Sequence, residues 1–484
     1  MAALITTEVL IIGTGFSGLA AAILAQEAGF EVQLVEKGED VGGVWRENTY
    51  PGAACDVPWH LYSFSFFKRV RFSRRYPQQA EILAYQRECA RHYGLYERTR
   101  FGTEIASADW DEAAGLWTVQ AVDGTRFEAQ ALISGVGQLS RPGWPKIPGL
   151  DDFAGDLFHS AEWDHEVPLA GRRVGVIGTG ASAIQFIPEV AEQAGELTVF
   201  QRSAPYILPR FDGPYGWLNR QLFRHLPGYD RPFRYMLWQL GEASTDAFDE
   251  GDNRISKLYQ WVTRTFREHQ VKDPALRAKL TPDYPIGCKR ILFSSNYYPT
   301  FTRDNVQLHT GGIEAVTAQG VRDSEGVEHP FDVLIMGTGF RATEFLSPMR
   351  ITGREGVALE QRWAGGAEAY LGISVPDFPN LFMMYGPNTN LGGNSIIFMI
   401  ECQARYIVQA LKALRGHRAL AVREDVHAQF NAETQERLKH TVWSAGCSSW
   451  YHTADGRITN NWPGRTAEYR RLTEAFDIAD YELG

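Results

Sequence analysis

Two glycine patterns carry the first chemistry that can be read from this chain. In "EVLIIGTGFSGLAAAILAQEAGFEVQLVEKG", Gly13, Gly15 and Gly18 stand as GxGxxG directly after an apolar run. The first glycine suits a tight turn, the second lets the backbone approach a pyrophosphate, and the third lets helix pack on strand. The helix start that follows offers unpaired N–H groups and a positive dipole end to phosphate. Glu36 closes the next apolar run, where a carboxylate accepts hydrogen bonds from a ribose 2′-OH and repels a 2′-phosphate. In "RRVGVIGTGASAIQFIPEVAEQAGELTVFQRSAP", Gly178, Gly180 and Ala183 repeat the pattern as GxGxxA. Here the acid is missing. Gln201 holds its place, and Arg202 and Ser203 follow at once. A cation and a hydroxyl at a strand end suit a 2′-phosphate, so the second dinucleotide reads as NADP and the first as FAD.

A chain that holds FAD and NADPH passes hydride from nicotinamide to flavin, and the electrons then need an acceptor. The five cysteines, Cys55, Cys89, Cys288, Cys402 and Cys447, are scattered without a CxxC pair. Neither a dithiol relay nor a structural disulfide is expected, and a reducing, cytoplasmic setting is. The twelve histidines form no HxxxH or HExxH, so no metal site is expected. No GxSxG nucleophile motif is present. Molecular oxygen is the simplest remaining acceptor, with the cofactor supplying the chemistry and the protein its geometry and electrostatics.

The elements that must position these groups alternate strand and helix, the pattern of an α/β fold. Each glycine loop lies between an apolar strand and a helix. "FDVLIMGTGF" (331–340) reads as a further strand closing the first domain, and "FPNLFMMYGPNTNLGGNSIIFMIECQARYIVQAL" as strand, turn and long helix. The expected architecture is two Rossmann-like dinucleotide-binding domains. The FAD domain is split (1–150 and 335–484) around an inserted NADP domain (151–334) with a helical segment at about 206–288. The chain has 484 residues, 44% hydrophobic and 22% charged, with net charge −10, which suits a globular protein and argues against a nucleic-acid partner. Its longest apolar runs, "VLII" and "SIIFMI", fall far short of the ~18 residues that span a bilayer. The opening residues lack a basic segment, so no signal peptide is expected.

"FAGDLFHSAEWDHEV" (153–167) stands ahead of the second loop as a connector with no obvious helix or strand pattern. Its Phe153, Gly155, His159, Trp163 and Asp164 match FxGxxxHxxxW(P/D), and on them the chain resembles the type I Baeyer–Villiger monooxygenases. "GGVWRENTYPGAACDVPWHLYSFSF", "SGVGQLSRP", "YPIGCKRILFSSNYY", "FTRDNVQL" and a late "SWY" resemble family segments in the same order. The resemblance implies an NADPH- and O₂-dependent FAD enzyme that inserts oxygen beside a ketone carbonyl, through a C4a-peroxyflavin, to give an ester or lactone. It implies that Arg290 is the active-site cation paired bidentately with Asp56, and that Lys289 joins Arg202 and Ser203 on the 2′-phosphate. It implies FAD contacts from Ser17, Glu36, Val44, Trp45, Arg46, Glu47, Tyr62, Ile105 and Ile396, with Gln138 near the flavin. NADP contacts are implied for Thr179, Gly180, Ala181, Ser182, Ala183, Ile184 and Gln185, and for Ala54, Cys55 and Asp56. His159 and Trp163 are implied to serve an interdomain hinge and the cofactor seat. The 206–288 segment is shorter than in many members, and "CSSWYHTADGRITNNWPGRTAEYRR" resembles the branch acting on aryl ketones. An N- or S-oxygenating flavin monooxygenase, which has no need of Arg290, stays open as an alternative. So does a reductase or oxidase that only passes electrons on. Neither the ketone nor the oligomeric state is legible.

Overall fold

The computed structural model describes residues 4–68, 72–226, 228–251, 253–447 and 449–484. Parts of three expectations lie outside these residues: the first three positions of the opening segment, Pro227 and Asp252 of the helical segment, and Ser448 before the SWY.

Two mainly parallel sheets organise the chain. The first runs in the order Arg350–Thr352, Ile105–Asp111, Leu116–Ala121, Arg126–Ser134, Leu4–Ile12, Val32–Val35, Thr99–Arg100. Leu381–Met383 joins it by pairing with the end of Arg126–Ser134, beyond the part that Leu116–Ala121 covers. The central strand Leu4–Ile12 is buried from Val9 to Ile12, which explains its unbroken apolar run. Helix Phe16–Glu27 carries alanine and leucine nearly all round because it is covered nearly all round, and it packs on helix Ile396–Leu414.

The second sheet is wholly parallel: Val306–His309, Glu196–Phe200, Arg173–Ile177, Val333–Met336, Asp156–His159. Two expectations are corrected here. "FDVLIMGTGF" does not close the first domain. Its strand Val333–Met336 is fully buried between two strands of the second sheet. Nor is the fingerprint segment a plain connector. Asp156–His159 is one of the sheet's two edge strands, in register with Val333–Met336 and followed by a short 3₁₀ turn at Ser160–Glu162. Four residues with one exposed flank are too short to show a period, so the pattern alone hid the strand.

The 206–288 stretch is helical, with helices Trp217–His225, Asp230–Ser244, Arg254–Gln270 and Pro274–Lys279. The last two start on Asn253 and Asp273, whose side chains accept from the free N–H groups of the first turn. Cys288 and Cys447 are joined as a disulfide across 159 residues of chain, against the expectation of unpaired cysteines. Tertiary folding brings the two together, and spacing in sequence carries no trace of it. Cys55, Cys89 and Cys402 are free and buried. Among the described residues no helix is long and apolar enough to cross a membrane.

Candidate active site

Both glycine loops fold as their residue types require. Gly13 has φ +93°, a conformation L side chains rarely adopt, and its N–H donates to Val35 at the end of the neighbouring strand. A Cβ on Gly18 would lie 1.9 Å from the Gly13 carbonyl, so only hydrogen permits this helix-to-turn approach. Gly178 repeats the device at φ +113°, where a Cβ would stand 2.3 Å from the Gly337 carbonyl. Gly13 meets Gly135 in the same way, at 3.0 Å. Gly135 and Gly337 end the strands across each sheet's switch point, where ligands of such sheets bind. They were missed as site residues, although "ALISG" and "VLIMG" show the signal: a glycine directly after a buried strand.

Nothing stands within 4 Å of where a Cβ on Gly180 would be, and Gly180 and Ala181 are exposed above the second sheet. Beside them lies a cation cluster. Lys289 Nζ donates to Ser203 Oγ at 2.7 Å and lies 4.5 Å over the Tyr284 ring. Burial first, then the nearby Arg202 guanidinium, hold the Lys289 ammonium below its ordinary pKa. Two cations held close at a strand end is the arrangement a dianionic phosphate relieves. Lys289 thus converges with Arg202 and Ser203 from 86 residues away, and the loop and cluster fit a phosphorylated dinucleotide.

In the first loop Glu36 is buried. Its carboxylate accepts from Thr14 N (3.0 Å), Thr14 Oγ1 (2.7 Å), Gly38 N (2.9 Å) and Arg46 Nη2 (3.1 Å). Thr14 was not anticipated, though it sits inside the glycine motif. Arg46, at the end of the turn Val44–Glu47, lies where Gly38 has no side chain. Glu47 pairs with Lys37 at 3.1 Å, and Trp45 Nε1 donates to the Tyr62 hydroxyl at 3.1 Å. Ser17 is buried in the first helical turn and Ile105 at the start of its strand. Ile396 opens helix Ile396–Leu414, which Ser395 caps while donating to Leu61 O at 2.8 Å. The Gly13 loop and its neighbours fit an FAD diphosphate and ribose.

The centre is an ion pair between the two halves. Nε and Nη2 of Arg290 donate to one oxygen, Oδ2 of Asp56, at 3.1 and 2.6 Å. The pairing is therefore two nitrogens on a single oxygen rather than the expected fork on both. Both side chains are part-exposed, at 29% and 23%. Asp56 is the main reason the guanidinium is held above its ordinary pKa, so it stays charged. The buried hydroxyls of Tyr385 and Tyr451 also face this charge, and burial pushes Tyr451 up to about 12 and Tyr385 higher. Both stay protonated, and the Tyr385 hydroxyl donates to Asn390 Oδ1 at 2.7 Å. Neither tyrosine was picked out from sequence. Tyr385 opens the Gly/Pro/Asn turn after strand Leu381–Met383 with φ +57°, a strained position for a non-glycine residue.

Gln185, on the helix after the second loop, reaches back to the first domain. Its amide donates to Ala54 O (2.9 Å), and its carbonyl accepts from Ala54 N (3.3 Å) and the Tyr50 hydroxyl (3.0 Å). Burial pushes the Cys55 thiol well above its usual range, so no thiolate is poised there. Gln138 is consumed by protein partners, donating to Tyr385 O at 3.0 Å and accepting from Asn460 at 2.9 Å. His159 ends the edge strand Asp156–His159. It is fully buried, its Nδ1 accepts from Ala161 N at 3.1 Å, and its ring packs near Trp144 and Phe340. Burial lowers its pKa to about 4, so the ring is neutral. Trp163 packs edge-on against Phe158 and at a tilt against Phe186, Phe153 folds over Gly155, and Asp164 caps Glu166 N.

Residues 6–225 match the family model described as flavin-binding monooxygenase-like. A Baeyer–Villiger monooxygenase of Pseudomonas aeruginosa is 44% identical over 481 residues, 98% of this chain and 91% of that protein. The fold is similar to that of cyclohexanone monooxygenase from Rhodococcus sp. Phi1 bound to NADP+, with TM-score 0.90, 28% identity and 99% of both chains covered. It is likewise similar to OTEMO in complex with FAD and NADP, with TM-score 0.89, 28% identity and 99% of both chains covered. The glycine cradles, the phosphate-seeking cations and the charged pair between the sheets agree with that likeness over nearly the whole length, and the chain belongs to the Baeyer–Villiger monooxygenases, within the flavin-binding monooxygenases.

Proposed function

We propose that this protein uses NADPH and O₂ to insert one oxygen atom beside a ketone carbonyl, giving an ester or lactone and water. The carrying observation is the Arg290–Asp56 pair, a permanent cation whose carboxylate partner stands two residues from Ala54, which Gln185 of the second domain contacts. The flavin, when bound, accepts hydride from NADPH and activates oxygen. FAD would be held by the Gly13–Gly18 loop, Glu36 and Arg46, and NADPH by the Gly178–Ala183 loop, Arg202, Ser203 and Lys289.

What this chain adds is charge and position. Addition to a ketone carbonyl builds negative charge on its oxygen. The Arg290 guanidinium, with N–H groups that among the described residues donate to nothing beyond Asp56, would meet it. Asp56 fixes the guanidinium plane and raises its pKa, so proton loss from Arg290 never competes. Tyr385 and Tyr451 line the same space as neutral hydroxyls, and that of Tyr385 donates to Asn390 Oδ1 at 2.7 Å. Gln185 couples the nicotinamide-side helix to the Ala54–Asp56 turn, so a dinucleotide on one sheet is registered against the other. His159 and Trp163 seat the edge strand and the helix behind the second loop, which supports a positioning role for the fingerprint.

A cation that stabilises carbonyl oxyanions favours this reading over N- or S-oxygenation, where no such charge develops. The test is turnover with NADPH and a panel of cyclic, linear and aryl ketones under ¹⁸O₂. The expected products are heavier than substrate by one labelled oxygen and hydrolyse as esters. Labelled N- or S-oxides with no ester from any ketone would replace this reading with the alternative. Peroxide with no labelled product would make the protein an oxidase.

A further inference from the structure

We propose that His309, Asp323 and His329 form a binding site for a divalent transition-metal ion of the zinc, cobalt or nickel class. These residues lie outside the dinucleotide machinery and come from three strands: Val306–His309 at the edge of the second sheet, and Gly320–Asp323 and Glu328–Pro330 of the adjoining antiparallel meander. One ligand atom from each falls within 4.8 Å of the others. His329 Nε2 lies 2.8 Å and His309 Nε2 3.6 Å from the same oxygen, Asp323 Oδ2. Tetrahedral zinc, with bonds of about 2.0–2.2 Å, sets its ligand atoms about 3.3 Å apart, so small side-chain rotations suffice.

Three further observations favour a ligand. First, Asp323 is pre-set for it. Its other oxygen, Oδ1, accepts from the backbone N–H groups of Glu325 and Val327 at 2.9 and 3.0 Å, which aims Oδ2 at the two imidazoles. Second, His309 Nε2 is buried and has no hydrogen-bond partner. An orphaned imidazole nitrogen beside a carboxylate costs free energy that a metal bond would recover. Third, residue 311 is glycine. A Cβ there would lie 2.7 Å from His309 Nε2 and would block the coordination position. The Phe200 ring walls the other side, with centroids 5.1 and 5.8 Å from the two imidazoles. Two imidazoles and one carboxylate select borderline divalent ions over magnesium or calcium, which prefer all-oxygen sets. The two imidazole side chains are about one-quarter exposed, whereas the Asp323 carboxylate and His309 Nε2 are buried.

The test uses the holoenzyme after chelation and dialysis, titrated with ZnCl₂ by calorimetry, with metal content measured after equilibrium dialysis. One saturable equivalent is expected, with no response to MgCl₂. His309→Gln and His329→Gln, each checked by thermal melting without metal, should weaken zinc binding by more than about tenfold, whereas the exposed His440→Gln should not. Anomalous diffraction from zinc-soaked wild-type crystals places the ion whether or not the variants fold. No saturable zinc, zinc at another position, or unchanged affinity in either histidine variant would overturn the proposal. Turnover is not the readout, so the outcome is independent of the oxygenase reading.

Discussion

Replacing Arg290 by alanine should separate the two halves of the reaction. Among the described residues the Arg290 side chain hydrogen-bonds to Asp56, not to Arg202, Ser203 or Lys289, so NADPH should still bind and reduce the flavin without oxygen. Oxygen transfer is different. A guanidinium about 4 Å from a developing oxyanion contributes about 4 kcal/mol at an effective dielectric constant of 20. Arg290 is 29% exposed, and solvent screening reduces this to about 2–3 kcal/mol. The ester-forming step should therefore slow by about 30- to 200-fold, in line with single oxyanion donors elsewhere. The assay pairs anaerobic stopped-flow bleaching with ester and peroxide yields under air. Reduction within a few-fold of wild type, continued oxygen consumption, and peroxide in place of ester are expected. Arg290→Lys should rescue poorly, because one ammonium cannot place two N–H groups on Asp56 Oδ2 and still point at substrate. Asp56→Asn should cost less than Arg290→Ala, since it frees the guanidinium but leaves it charged. Near wild-type ester formation by Arg290→Ala would refute the assignment of this cation to the reacting carbonyl.

NADPH should exceed NADH in kcat/KM by about thirtyfold, or about 2 kcal/mol, and Arg202→Ala should close most of that gap through KM; equal use of both cofactors by wild type would remove the phosphate role. Gly13→Ala should yield colourless protein, since a Cβ at φ +93° also lies 3.0 Å from Gly135 O; full flavin content in that variant counts against the first loop as the FAD site. Stability should fall with acid. His159 and His60 are buried with pKa values near 4, so the unfolded chain takes up protons from about pH 6.5 downward that the folded one refuses until about pH 4. Each histidine should withdraw up to about 3 kcal/mol across that window, with none of this loss above it, and denaturant titrations from pH 7 to pH 4 that show no proton-linked slope would exclude it. A reductant should destabilise wild type by about 4 kcal/mol through Cys288–Cys447 and leave Cys447→Ser unchanged, as melting curves with and without dithiothreitol will show.

Local residue types alone determined the two glycine loops, because Gly13 and Gly178 answer constraints set within a few residues: a positive φ, a close backbone approach and a helix start. The fully apolar strands around them, "VLII" and "VGVI", were legible for the same reason, since burial on both faces leaves a continuous run. The contrast between Glu36 and Gln201-Arg202-Ser203 was equally local. Tertiary structure decided the rest. Whether Val333–Met336 belonged to the first or second sheet could not be read, because a buried parallel strand looks alike in either. Asp156–His159 was too short to declare itself. Arg290 and Asp56 were named through family likeness, but only folding shows two nitrogens on one oxygen, with Tyr385 and Tyr451 turned to the same charge. Cys288 finds Cys447, and His309 finds Asp323 and His329, across strands and loops whose separation no motif spacing encodes. Spacing reports what neighbours along the chain do. Pairings between distant side chains are fixed by sheet order and by which faces must be buried, and these exist only once the whole core has formed.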